Sequence, residues 1–155
     1  MPKTTFSLAL IALLWAGACN TTKQPSSADG SGQAETAISF TVAENYFVRN
    51  DYRESPLHSI RVTSQQQFDA VFGVARTMGN QPTAIDFSKQ DVIACIAESS
   101  NTISGLEIVS LKKSKNEILL TYKLTEGEKR SSTSRYAALA IIDKTHQGEV
   151  KLQKQ

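Results

Sequence analysis

The sequence has very little of the chemistry that catalytic and metal sites use. Its 155 residues include two cysteines and two histidines. Two cysteines exclude a scaffold held by several disulfides and a zinc site with four cysteine ligands. Seventeen Lys and Arg against fifteen Asp and Glu give a formal charge of +2, so the basic excess of a dedicated nucleic-acid binder is missing. We therefore expect no cofactor and no nucleic-acid partner.

Motifs for hydrolysis and phosphate binding are also missing. There is no Gly-Lys-Ser/Thr phosphate loop and no Gly-x-Ser-x-Gly elbow to present a nucleophile. His58 and His146 lie beside turns, and the serines of residues 131–134 have no neighbour that would activate them. A pair of carboxylates would meet only in the folded chain, so four glutamates stay open as candidates: Glu98, Glu107, Glu126 and Glu128. The sequence predicts a protein that is not an enzyme.

A short apolar run opens the chain. Lys3 is the only charge before Cys19, and Phe6–Ala18 is apolar or small apart from Ser7. This run is shorter than the ~20 residues that span a hydrocarbon core. A positive start, a short apolar core and small residues before a cleavage site are typical of a secretory signal peptide.

The end of this run resembles the lipobox of bacterial lipoproteins. Ala16-Gly17-Ala18-Cys19 supplies the small residues and the thiol, with Ala16 where the family usually has Leu. The resemblance implies that residues 1–18 are a lipoprotein signal peptide and that Cys19 is lipidated and anchored in the bilayer. The alternative is an ordinary cleaved signal followed by a chance cysteine. By the same resemblance, Asn20 favours the outer membrane, facing the periplasm.

A polar segment separates Cys19 from the first apolar pattern. Residues 20–36 contain mostly Ser, Thr, Gly, Gln and Ala, and no large apolar side chain. Such a composition buries too little surface to offset the entropy of ordering. The sequence therefore predicts a flexible linker over 19–36 and a single globular, β-rich domain over 37–155.

The domain shows one helical pattern among many strand patterns. Ser64 with Gln67 has the form of a capping box, and Phe68, Val71 and Phe72 follow at helical spacing. These residues predict a helix over about 64–73, which either ends at Gly73 or continues past it. Alternating or fully apolar runs predict strands near 38–42, 45–48, 58–62, 91–97, 106–111, 118–124, 136–143 and 149–152. The fold class is α+β, mostly β, as an antiparallel meander or sandwich.

Two features of the domain have ordinary interpretations. Cys95 lies inside an apolar run, so we expect a buried, inert thiol. Lys112, Lys113 and Lys115 fall in a predicted turn, 112–117, where they keep the surface solvated. Contact of these lysines with anionic lipid headgroups is the alternative.

The run Ile85–Ala94 resembles the opening of the PrcB-type domain of bacterial lipoproteins, which includes a subunit of a cell-surface protease complex. It reads Ile-Asp-Phe-Ser-Lys-Gln-Asp-Val-Ile-Ala, and the predicted elements over about 58–143 follow the same order. Two positions depart from the family pattern: Leu106 replaces an aromatic residue after Gly105, and Arg135 replaces a proline before Tyr136. The resemblance implies a non-catalytic module that binds or stabilises a protease or another envelope protein.

The resemblance places recognition in two polar loops at one end of the sheet, residues 99–105 and 127–135. Loops on a rigid β scaffold commonly carry recognition. The alternative function is a structural or stress lipoprotein of the envelope without a dedicated ligand, and a hydrolase is the third. The candidate binding residues are Ser99, Ser100, Asn101, Thr102, Ile103, Ser104, Gly105, Lys129, Arg130 and Arg135.

Overall fold

A computed structural model describes residues 35–53, 55–75 and 79–155. The predicted signal peptide, Cys19 and nearly all of the predicted linker lie outside the described residues, and what the sequence indicates for them stays a prediction. Within the described ranges, no helix is long and apolar enough to cross a membrane.

The described residues form a mostly β domain with one helix, which confirms the predicted fold class. The outer sheet has the strand order β1-β7-β8-β10, the middle sheet has the order β2-β9-β6-β4, and β3 pairs with β5. All neighbours are antiparallel except β8 and β10, which run parallel. The elements are β1 Thr36–Ala37, β2 Thr41–Val42, β3 Tyr46–Val48, β4 His58–Val62, α1 Gln65–Val71, β5 Phe72–Val74, β6 Gln90–Ile96, β7 Ile103–Ser114, β8 Glu117–Glu126, β9 Ala137–Asp143 and β10 Glu149–Lys154.

The middle sheet is covered on both faces. Successive side chains of a strand point to opposite faces, so Ile93 and Cys95 pack against the outer sheet while Val92 and Ala94 pack under α1, β3 and β5. This two-sided burial explains why β6 is apolar at nearly every position. The predicted central place of this strand is confirmed, since β6 lies between β9 and β4.

The predicted helix is present and shorter than expected. Ser64 caps it, with its hydroxyl accepting a hydrogen bond from the Gln67 amide at 3.3 Å. Phe68 and Val71 are buried, but Phe72 has extended backbone angles and starts β5. The interpretation of Gly73 as a helical residue or a helix stop is therefore wrong. Gly73 instead allows close packing, because an added Cβ would lie 2.5 Å from the Phe47 ring.

A β-bulge changes which residues of β7 face the core. Ile108 pairs with Tyr122 and Ser110 with Thr121, which leaves Val109 as the extra residue. Strict alternation predicts Leu111 on the opposite face from Leu106 and Ile108. Because the bulge shifts the alternation by one, all three pack in the core between the two sheets.

The chain enters the domain beside the β7–β8 turn. Thr36 pairs with Lys113, so it belongs to β1, although the sequence places it in the linker. The turn itself is tighter than the predicted 112–117, because β7 runs to Ser114 and β8 starts at Glu117. Lys112 lies in β7 and forms an ion pair with Glu35 at 2.9 Å, and Lys115 takes a positive φ of 47° in the turn.

Candidate binding site at the loop end

The two predicted recognition loops are joined to each other by their backbones. Ser100 and Ser134 exchange two backbone hydrogen bonds, at 3.1 and 2.9 Å. The Gly127 amide donates to the Thr102 carbonyl at 2.7 Å, and the Arg130 amide donates to the Asn101 carbonyl at 2.9 Å. The loops therefore form one continuous surface, which we call the loop end.

Arg130 ties this surface to the sheet. Its Nη2 donates to the Ile103 carbonyl at 2.6 Å, and its Nη1 donates to the Tyr136 hydroxyl at 3.1 Å. The guanidinium also lies 5.7 Å from the centre of the Tyr136 ring, within cation–π range. Arg130 is half-buried. Because its guanidinium bonds both the first residue of β7 and the residue before β9, it holds the second loop against the sheets.

The other predicted loop residues are more accessible. Ser99 and Lys129 are exposed, and Asn101 and Thr102 are half-buried. Arg135 donates from Nη1 to the Tyr52 carbonyl at 3.1 Å, which connects the loop end to the turn after β3. Lys129 is thus the exposed cation of this surface, whereas Arg130 and Arg135 both make hydrogen bonds within the domain.

Three of the predicted loop residues lie in a strand. Ile103 pairs with Glu126 and Gly105 pairs with Thr125, with Ser104 as a bulge residue between them. The loop prediction is wrong at these three positions because β8 extends to Glu126, and β7 pairs with it from Ile103 onward. Ile103 is buried, so of these three only the exposed Ser104 offers a side chain to a partner.

Two clefts open at the loop end. One, of about 430 Å³, lies between the loops and β3. The other, of about 270 Å³, opens over the edge of the core between the two sheets. The first is lined by Phe47, Val48, Asn50, Ser99, Thr133, Ser134 and Arg135. The second is lined by Leu57, Ala97, Glu98, Ser100, Thr102, Ile103, Tyr122, Leu124, Glu126 and Lys154.

Sequence reasoning missed the aromatic residue of this surface. Phe47 is 47% exposed and lines the larger cleft. Its neighbour Tyr46 packs edge-on against Phe68, with ring centres 4.9 Å apart. Because neighbouring strand residues point to opposite faces, two adjacent aromatic residues could have been interpreted as one inside and one outside.

One Ser–His contact is present, but its geometry does not suit a nucleophile. Ser55 Oγ lies 3.0 Å from His58 Nδ1 and 3.5 Å from Nε2, and an oxygen this close to both ring nitrogens lies along neither lone pair. Nδ1 also lies 2.7 Å from the Pro56 carbonyl, to which it donates. No carboxylate of the described residues orients this ring. The pair therefore lacks the serine, base and orienting group of a triad.

Two of the four candidate glutamates line the same cleft. Glu98 and Glu126 both border the 270 Å³ cleft, and both are exposed. Neither makes a hydrogen bond or ion pair with another described residue that would fix its carboxylate. Glu107 instead pairs with Lys123 at 3.2 Å on the outer sheet, and Glu128 lies exposed in the second loop.

Cys95 is buried, as predicted. It lies in β6 and packs between the middle and outer sheets. Burial raises the pKa of its thiol to about 12. The thiolate is the nucleophilic form, so this position suits a small apolar side chain rather than a reactive one.

The opposite end of the sheets contains a buried charge cluster. The Asp91 side chain is 1% exposed, and its Oδ2 accepts bonds from Arg61 Nε at 3.0 Å and Nη2 at 2.6 Å. Lys144 Nζ lies 3.7 Å from the other carboxylate oxygen. Arg61 Nη2 also donates to the His146 carbonyl at 2.7 Å. We call this the charged end. It joins the start of β6 to the turn between β9 and β10.

Comparisons with known proteins find no matching protein family, no similar curated protein and no similar solved structure. Among the described residues, no group of three or more His, Cys, Asp and Glu side chains could hold a metal ion. The candidate site therefore stands on its own geometry, which is a rigid, loop-built surface with an exposed aromatic ring.

Proposed function

We propose that this chain is a bacterial lipoprotein whose domain is a non-catalytic binding module for another protein of the cell envelope. In this proposal Cys19 anchors it in the bilayer of the outer membrane, facing the periplasm. The observation that carries the binding role is the joining of residues 99–102 to 127–135. Long polar loops that are ordered by their own backbone hydrogen bonds present a preformed surface, which lowers the entropy cost of binding.

The composition of the loop end supports a protein partner. Protein interfaces are enriched in aromatic and arginine residues around a partly apolar centre. Phe47 supplies an exposed ring, and Arg135 lines the same 430 Å³ cleft. Serine and threonine side chains of both loops surround this centre as a polar rim.

The resemblance to PrcB-type domains gives the proposal its class of partner. The order α1, β6, β7, β8 and β9 is compatible with the layout that the resemblance implies. In this proposal the domain binds or stabilises an envelope protease or a protein associated with one.

A photo-crosslinking side chain at Lys129 tests the binding role. It is introduced into the full-length, lipidated chain in its own envelope. Lys89 is the matched control, because it is also an exposed lysine but precedes β6 at the charged end. We expect a discrete adduct from position 129 and none from position 89. Equal labelling from both positions, or no adduct from either, would contradict the proposal and favour a structural lipoprotein.

The anchoring is tested separately by Cys19→Ser. We expect the native protein to fractionate with membranes and to carry acyl chains on its first mature residue by mass spectrometry. The Cys19→Ser chain should lose both properties. Native protein that is found unacylated and freely secreted would show that the anchoring proposal is wrong, whatever the loops bind.

A further inference from the structure

The longest strand of the outer sheet has a partly uncovered edge. On one side β7 pairs with β8 along its length. On the other side β1 pairs only with Lys112 and Lys113, and the last bond runs from the Ile38 amide to the Leu111 carbonyl at 2.8 Å. No strand of the described residues covers the stretch 103–110. A bare edge offers backbone N–H and C=O groups to another extended chain.

Strand β9 of the middle sheet, which lies across the groove from β7, is also partly unpaired along its outer edge. β2 pairs with Ile141 and Ala140, and the Ala43 amide donates to the Leu139 carbonyl at 2.9 Å. Ala137 and Ala138 lie beyond this cover. A groove of about 290 Å³ runs between the two bare edges and is lined by Val42, Ala43, Leu106, Glu107, Ile108, Ala137, Ala138 and Leu139.

The groove is lined mostly by apolar residues, and one of them, Val42, is half exposed. Its one charged lining residue, Glu107, is paired with Lys123 at 3.2 Å. Val42 lines the groove and is 50% exposed, and Val109 on β7 is 42% exposed. Single exposed valines are ordinary on protein surfaces. Here two exposed valines lie near an unpaired strand edge. The edge can form hydrogen bonds with an extended backbone, and the valines favour apolar side chains on it.

The shape of the edge favours a short peptide over a second copy of this chain. The bulge residues Ser104 and Val109 leave only Gly105–Ile108 as a regular run. Bulges twist an edge and discourage pairing between two long strands. β1 already shows that the same edge accepts an extended segment, since it adds there in antiparallel pairing over two residues.

We propose that the bare edge of β7 binds a short, extended, apolar segment of a partner protein as an added strand. Backbone hydrogen bonds would supply affinity, and alternate side chains would enter the groove beside Leu106 and Ile108. This surface is separate from the loop end, so it does not depend on the function proposed above.

The probe is a fluorescein-labelled heptapeptide with alternating Val and Thr, measured by anisotropy with the full-length chain in detergent. Its control is the same peptide with N-methylated backbone amides, which keeps the side chains and removes the donors. Val42→Lys places a charge in the groove, and Val109→Lys places one on β7 directly after the regular run Gly105–Ile108. Val74→Lys is the matched control, because Val74 is 43% exposed and lies in β5.

We expect saturable binding of the peptide and at least tenfold weaker binding of the methylated form. Val42→Lys and Val109→Lys should weaken binding at least tenfold, while Val74→Lys stays within twofold. Amide chemical shifts of Gly105–Ile108 should change most. No saturable binding, equal binding of the methylated peptide, or an equal loss with Val74→Lys would overturn the proposal. Self-association that Val109→Lys abolishes, without peptide binding, would identify a second copy as the occupant instead.

Discussion

The two ends of the paired sheets are built in opposite ways. The charged end is held together by side chains, with Asp91 buried against Arg61 and Lys144. One cleft of about 360 Å³ opens beside it at Lys89, Gln90 and Asp143. The loop end is closed mainly by backbone hydrogen bonds and keeps two clefts open. The difference indicates a division of roles, in which one end contributes to the stability of the fold and the other presents a surface.

The largest effect should come from Asp91→Ala. The substitution leaves the Arg61 charge, whose side chain is 16% exposed, without its carboxylate. Removing one partner of a buried ion pair costs about 3–5 kcal/mol. Urea denaturation should show this loss in the free energy of unfolding. Asp51→Ala breaks an exposed pair with Arg49 and is the control, with little change expected. Equal effects of the two substitutions would refute a stabilising role for the charged end.

A matched pair of glycine substitutions compares the two ends directly. Gly148 has a φ of +149°, and an added Cβ would lie 2.7 Å from the Asn116 carbonyl oxygen. Because a backbone atom cannot move aside easily, Gly148→Ala should destabilise the domain by about 1–3 kcal/mol. At Gly105 an added Cβ would meet Thr125 at 3.6 Å, an ordinary contact. Gly105→Ala should therefore change thermal stability little, and a larger loss there than at Gly148 would reverse the comparison.

Arg130→Ala should loosen the loop end with a smaller global effect. It removes the bonds to Ile103 and Tyr136. We expect about 1 kcal/mol of lost stability, the usual net size for such hydrogen bonds. Amide exchange at Ser100 and Ser134 should become much faster, and crosslinking from position 129 should fall. Lys129→Ala, at an exposed neighbour, should leave the exchange unchanged. Unchanged exchange in Arg130→Ala would show that the backbone alone holds the loops.

The smallest effect at neutral pH concerns Cys95, in the core between the two ends. Burial raises the pKa of its thiol from 9.0 to about 12. Because the thiol of the unfolded chain ionises first, the contribution of Cys95 to stability should fall as pH rises from about 9 towards 12 and should be constant below that range. Cys95→Ala should make the fall of stability with pH shallower, and burial of Tyr46, which raises the pKa of its hydroxyl, accounts for part of the slope that remains. The native thiol should also resist alkylation at pH 8 until the protein is denatured. Rapid alkylation of the native protein would contradict this account.

Local patterns were enough to predict most of the fold. The capping pair Ser64 and Gln67, and the alternation from Ile118 to Leu124, are signals carried by neighbouring residues, and both appear where expected. The bulge at Val109 and the parallel pairing of β10 with β8 depend on a partner strand. The hydrophobic pattern within a single strand therefore does not predict them. For the same reason the predicted strands 106–111 and 118–124 are shorter than β7 and β8, which extend to Ile103 and Glu126 at the loop end.

The candidate site was predictable in outline only. Polar composition located the two loops, because residues that cannot build a core stay at the surface. Their joining through Ser100 and Ser134 is a backbone contact, to which side-chain identity contributes little. Phe47 enters the site from a distant strand, and only the fold brings it there. Asp91 shows the same limit, since its burial depends on Arg61 in another strand.

The position where the chain enters the domain has a consequence for reach. β1 joins β7 near Ser114, whereas residues 99–102 lie at the other end of that twelve-residue strand. At about 3.4 Å per residue, the strand spans about 40 Å. The loop end therefore lies a full strand length from the residues at which the chain enters the domain. If the domain binds a partner there as proposed, that partner contacts the part of the domain farthest from its connection to the linker.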